Sequence, residues 1–256
     1  MPAFTLIELL VVITIIGVLA GLLLPALHRA KAKAQQVDCL ANIRQLQVCW
    51  QLYLGDNEDR LPSNETLTGN GRAECYSPSN AWVLGNAWTD TTPSNIQAGL
   101  LFPYNQSTKI YKCPADRSTV RDQGRIPRLR SVSMSMYMNT IADPGSRDCW
   151  HRLGEIVDPP PSTAFVFIDE HEGSIDNSRF YATQPGQWRW VDFPSTRHGG
   201  ASPLSFADGH TEIWKWIEPR TFAISRMSGW IQDALTAPGD RDLLRVQGAV
   251  PKKPIW

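Results

Sequence analysis

FTLIELLVVITIIGVLAGLLLPAL, residues 4–27, is the stretch from which the rest of the chain is read. Glu8 is its one charge, and residues 9–27 then run 19 positions without another. At about 1.5 Å of rise per residue, a helix of that length reaches roughly 28 Å, close to the hydrocarbon thickness of a bilayer. A secretory signal has a shorter apolar core and a small-x-small cleavage site before the mature chain, whereas this run passes directly into a helical pattern. An uncleaved anchor explains the apolar run but not Glu8, because an ionisable group near the membrane interior is costly and marks function.

Outward from that run, residues 26–54 contain neither Gly nor Pro, and apolar Leu40, Ile43, Trp50 and Leu54 recur at helical spacing. They predict an amphipathic continuation of the anchor that stops at Gly55-Asp56-Asn57, about fifty helical residues in all. Residues 56–112, rich in Asn, Ser, Thr, Gly and Pro, read as loops with small elements. Short strand-like runs follow at residues 133–138, 164–168, 204–207 and 211–216. They predict a small, mostly antiparallel sheet packed against the helix, an α+β fold. Residues 205–214, SFADGHTEIW, form the clearest hairpin, with Asp208-Gly209 supplying the positive φ values of a tight turn. Residues 237–256 read as a loose tail or as a segment packed through Trp256.

In 256 residues there is room for one anchor and one domain with a sizeable core. Lys plus Arg number 25 and so do Asp plus Glu, so no net field attracts nucleic acid, and no nucleic-acid partner is expected. Five cysteines without a Cys-x-x-Cys pair exclude a disulfide-dense scaffold. Ten tryptophans, all from Trp50 onward, are read first as core residues and second as a platform for sugars or neighbouring subunits.

The N-terminal residues closely resemble those shared by type IV pilins and type II secretion pseudopilins, with their prepilin-type cleavage and methylation signal. The resemblance implies a leader of residues 1–3, an assembly helix of 4–27, an amphipathic continuation of 28–55 and a β-rich domain of 56–256. It implies cleavage by a prepilin peptidase between Ala3 and Phe4, methylation of Phe4, and Glu8 as the assembly carboxylate. Gly17 and Pro25 fall where the family has a glycine and a helix-bending proline. Ala3 replaces the family's glycine before the cut, and Met-Pro-Ala carries no basic residue, so a longer leader is expected. Arg29, Lys31 and Lys33 alone would favour the opposite orientation, but the family places the N-terminus in the cytoplasm. The implied product is a non-enzymatic subunit of a pilus-like or type II secretion pseudopilus filament. Its implied partners are other pilin subunits and an inner-membrane assembly platform, with the domain periplasmic or at the cell surface.

His198, nine residues, then Asp208-Gly209 resembles the signature of one pilin-like subfamily. Cys39 with Asn42 and Gln45, the run Tyr-Lys-Cys-Pro-Ala-Asp at 111–116, and Tyr137 with Asn139 accompany it. The subfamily pieces hint at a Cys39–Cys113 disulfide. Cys75–Cys149 is a second option from loop context, and buried thiols a third. Asp208 is expected to form the turn and His198 to hydrogen-bond a nearby loop, holding the hairpin on the sheet. The alternative is a metal site drawn from Asp169, Glu170, His171, His198, Asp208 or His210. Carboxylates would suit calcium, which related pseudopilins use, and imidazoles would suit zinc. No resident cofactor is otherwise expected. No nucleophile elbow, phosphate loop or zincin pair is present, and Asp169 and Glu170, adjacent on a strand, face opposite ways and are poor acid/base partners. The rival readings are a membrane-tethered, glycan-binding module that does not polymerise and, third, a metal-dependent surface enzyme.

Overall fold

The computed structural model describes residues 5–67, 75–140, 149–224, 226–227, 231, 235–236 and 238–252. A single helix, α1 (Leu6–Asp56), runs 51 residues, roughly 77 Å at about 1.5 Å per residue. Thr5 and Glu8 close a capping box at its start, and Asn57 ends it. The helix stays α-helical across Pro25. The local melting that a proline can cause is therefore not seen, although the missing N–H removes one intrahelical bond.

The two halves of α1 differ in what they bury. From Leu6 to Leu27 the large apolar side chains keep 46–80% of their surface exposed. In the second half, Cys39, Ile43, Leu46, Trp50 and Leu54 are buried at steps of three and four, one stripe of a 3.6-residue helix. Leu40, expected in that stripe, lies at its rim, and Cys39 takes the buried position.

The stripe packs on a five-stranded sheet of order β3-β1-β2-β5-β6. Its strands are β1 (Val132–Ser135), β2 (Phe165–Asp169), β3 (Arg179–Phe180), β5 (Ala201–Phe206) and β6 (Thr211–Lys215). A separate two-stranded ribbon pairs β4 (Arg189–Trp190) with β7 (Leu235–Thr236). Three of the four pairings in the main sheet are antiparallel, but β1 and β3 run parallel, so the sheet is mixed. β2 and β5 are buried on both faces and read as continuous apolar or small runs, the pattern of strands covered from both sides.

Loops with short helical turns supply much of the cover, as their composition predicts. α2 (Ser94–Gln97) and 3-10 turns at Phe102–Tyr104 and Thr108–Tyr111 lie in residues 56–112, and α3 (Pro219–Ile224) follows the sheet. Trp82 stacks on Tyr111 at 5.9 Å and meets Phe167 edge-on at 5.0 Å. Residues 238–252 are not a loose tail. Asp240 caps α4 (Arg241–Gln247), and Leu243, Val246, Ala249 and Val250 enter the core; Trp256 lies outside the described residues.

The hairpin between β5 and β6 differs from a two-residue Asp-Gly turn. Only Gly209 has positive φ, at +99°. Gly209 N donates to the Phe206 carbonyl at 2.9 Å and Phe206 N to the His210 carbonyl at 3.0 Å. This is a three-residue loop ending in a left-handed glycine.

Candidate functional site

Two places concentrate chemistry: the head of α1 and a buried cluster beneath its second half. At the head, Glu8 accepts hydrogen bonds from Thr5 N at 2.9 Å and Thr5 Oγ1 at 2.7 Å. An acidic side chain there also meets the positive end of the helix dipole. Gly17 and Gly21 have open space where a Cβ would stand, so that flank is smooth and uncovered by the chain's own domain. α1 is one helix long and apolar enough to cross a membrane. Ala3 and Phe4 lie outside the described residues.

Beneath the second half, Cys39, Cys113, Asp169 and His198 are all buried, and one ligand atom from each lies within 4.8 Å of the other three. They come from α1, the loop after the 3-10 turn at Thr108–Tyr111, the end of β2 and the loop entering β5. Cys113 N donates to Ser131 Oγ at 2.8 Å, while Ser131 N donates to the Tyr111 carbonyl at 3.0 Å, fastening that loop to the start of β1. Asn42 Nδ2 reaches the Lys112 carbonyl at 3.2 Å, fixing the same loop to α1. His198 is followed by Gly199 and Gly200 at φ +69° and +83°, left-handed residues at which the chain turns into β5. Its Nε2 and Cys113 Sγ are hydrogen-bonded at 3.1 Å.

Asp169 is the hub. Its carboxylate accepts from Ser131 Oγ at 2.7 Å and from Ser195 Oγ, and Arg197 Nη1 reaches both of its oxygens at 2.9 Å. Arg197 also bonds Glu172 at 2.8 Å and lies 3.8 Å from Asp116. Burial pushes the Asp116 and Glu172 carboxyls up, but Arg197, joined by the Ser118 hydrogen bonds and Lys112 at Asp116 and by His171 at Glu172, holds both below the usual carboxylate range. Within the cysteine pair, the hydrogen bond from Cys39, with a smaller one from His198, draws Cys113 down to about 7. Cys39 is pushed well up by the same bond and by burial.

The expected site residues therefore separate. Asp169 and His198 meet, but Asp208 stays at the hairpin turn, where it accepts from His210 N at 3.1 Å and pairs with His210 Nδ1. His198 bonds the Cys113 loop and not the hairpin. Glu170 follows Asp169 onto the other face of the strand and is fully buried; burial, reinforced by Asp192, pushes its acid well up. Neither Cys39–Cys113 nor Cys75–Cys149 is joined by a disulfide in the structure, and Cys149 Sγ donates to the Met136 carbonyl at 3.9 Å. The sequence placed Cys39 and Cys113 together only as a bridge and missed Arg197, although it adjoins His198. Seven of the eight described tryptophans are buried, with Trp188 alone exposed, so among the described residues they build the core and not a stacking platform.

No protein-family model matches the chain, and no solved structure matches it. Curated proteins do. It is 44% identical over 62 residues to type II secretion system core protein G of Pectobacterium carotovorum subsp. carotovorum, covering 24% of this chain and 39% of that protein. The namesake from Aeromonas hydrophila is 42% identical over 62 residues, 24% of this chain and 43% of its own length. That from Escherichia coli (strain K12) is 41% identical over 75 residues, 29% and 52% respectively. The chain thus spans about half or less of the length of the curated relatives it matches, and its similarity to these proteins covers about a quarter of its own length.

Proposed function

We propose that this chain is a structural subunit of a type II secretion pseudopilus. The observation that carries the reading is the first half of α1, whose apolar side chains from Leu6 to Leu27 are exposed and lie next to a single carboxylate, Glu8. So large an uncovered apolar surface needs lipid or other subunits around it. The similarity to core protein G favours a secretion pseudopilus over an adhesive or DNA-uptake pilus.

On this reading the chain inserts as a single-pass inner-membrane protein with its N-terminus in the cytoplasm and its domain in the periplasm. Prepilin peptidase cuts between Ala3 and Phe4, and the new amino group on Phe4 is methylated. An assembly platform then moves the helix from lipid into a bundle of other subunits' helices. Glu8, already held at the first turn by Thr5, accepts the positive amino group of a neighbouring subunit, which offsets the cost of a carboxylate in an apolar bundle and sets the register.

Mass spectrometry of the N-terminal peptide from the host's membrane or surface fraction tests the processing step. A methylated chain beginning at Phe4 is expected, and an intact Met1 or Pro2 start would refute it. Glu8→Ala is expected to keep membrane insertion but to abolish filaments in electron micrographs and cross-linked ladders.

A further inference from the structure

We propose that Cys39, Cys113, His198 and Asp169 form a structural site for zinc or a similar soft divalent ion, one that fastens α1 to the sheet. The inference is independent of the pseudopilus reading. Their ligand atoms converge within 4.8 Å of one another from four elements far apart in the chain, and all four residues are buried. In a tetrahedral zinc site with metal–ligand lengths of about 2.0–2.3 Å, neighbouring ligand atoms lie roughly 3.3–3.8 Å apart. Small side-chain rotations close that difference.

The donor set selects the ion. Two sulfurs and an imidazole nitrogen suit zinc and are poor ligands for calcium, which takes oxygen. The carboxylate-only candidates do not gather: Asp208 is committed to His210 at the hairpin, and Glu170 is not among the converging ligands. A Cys39–Cys113 bridge would use the two sulfurs alone and remove the thiol to which His198 Nε2 is hydrogen-bonded.

Charge also closes. Binding releases one proton from each thiol, so the two thiolates balance the divalent ion, while the Asp169 carboxylate remains balanced by Arg197. Asp169 already accepts from Ser131, Ser195 and Arg197, so it is the ligand that exchanges one hydrogen bond for the metal. The surrounding bonds orient the set as an outer shell does: Ser131 Oγ accepts from Cys113 N and donates to Asp169. With four protein ligands and no open position the site is structural, not catalytic. It joins the buried stripe of α1 to β2, to the β5 entry and to the Cys113 loop.

The test uses the full chain purified in detergent without chelators, with elemental analysis for zinc and calcium and with thiol mapping under non-reducing, denaturing conditions. About one zinc per chain and no calcium is expected. Cobalt(II) exchange into the wild-type protein should give thiolate-to-cobalt charge transfer and the strong visible bands of a tetrahedral site, a readout that depends on no variant. Cys113→Ser and His198→Gln should each weaken zinc retention at least about tenfold, whereas Asp208→Asn should retain it. A Cys39–Cys113 disulfide in the isolated chain would overturn the proposal. So would two alkylatable thiols that take up neither zinc nor cobalt, or zinc loss in Asp208→Asn equal to that in Cys113→Ser.

Discussion

Arg197, which the sequence did not single out, holds a large share of the buried polar chemistry. Its guanidinium serves Asp169, Glu172 and Asp116 at once. Removing one partner of such a network leaves buried charge without compensation. Arg197→Met should destabilise the domain by about 3–5 kcal/mol at neutral pH, as measured by denaturant unfolding. The pH dependence gives a second readout. Asp116 and Glu172 titrate below their unfolded values, so their stabilisation is present above the ordinary carboxylate range and is lost as pH falls through it. Without Arg197, burial is opposed only by the lesser partners, Ser118 and Lys112 at Asp116 and His171 at Glu172, so the acid loss should flatten in the variant. None of this was legible from composition, because an arginine in a loop looks the same whether it faces water or three carboxylates.

The elements were read more fully than their joints. Helix α1 was legible because a charge-free run of 19 residues and a 3.6-residue stripe are local properties of the chain. Strands β2, β5 and β6 were legible for the same reason, while the parallel pairing of β1 with β3 was not, since it depends on a crossover between strands remote in sequence. The β5–β6 hairpin lies between these cases. Asp208-Gly209 located the turn, but the loop needs only Gly209 in the left-handed region. A Cβ on Gly209 would also come within 2.3 Å of the Gln51 side-chain nitrogen on α1, a group that can swing aside. The backbone conformation is therefore the larger cost, and Gly209→Ala should destabilise by about 1–2 kcal/mol in thermal or urea unfolding. Asp208→Ala, at a half-exposed turn, should lose about 1 kcal/mol or less.

For the whole molecule, the division of α1 into an exposed half and a buried half predicts separable behaviour. The buried stripe begins at Cys39, and the apolar side chains up to Leu27 bury nothing in the domain. A chain beginning at residue 29 should therefore be soluble without detergent and melt within a few degrees of the full protein, whereas the full chain should require detergent or lipid. Loss of folding in the truncated form would mean that the first half of α1 contributes to the domain. By itself the sequence determined the anchor, the lone Glu8, the helix that continues it and the approximate strands, because hydrophobic periodicity and charge are carried by neighbouring residues. Only the tertiary structure decided that Cys39 and Cys113 meet His198 and Asp169 and not Asp208, and that Arg197 ties three carboxylates together. Those groups are separated by up to 159 positions, Cys39 to His198, and packing of α1 on the sheet is what brings their side chains to one point.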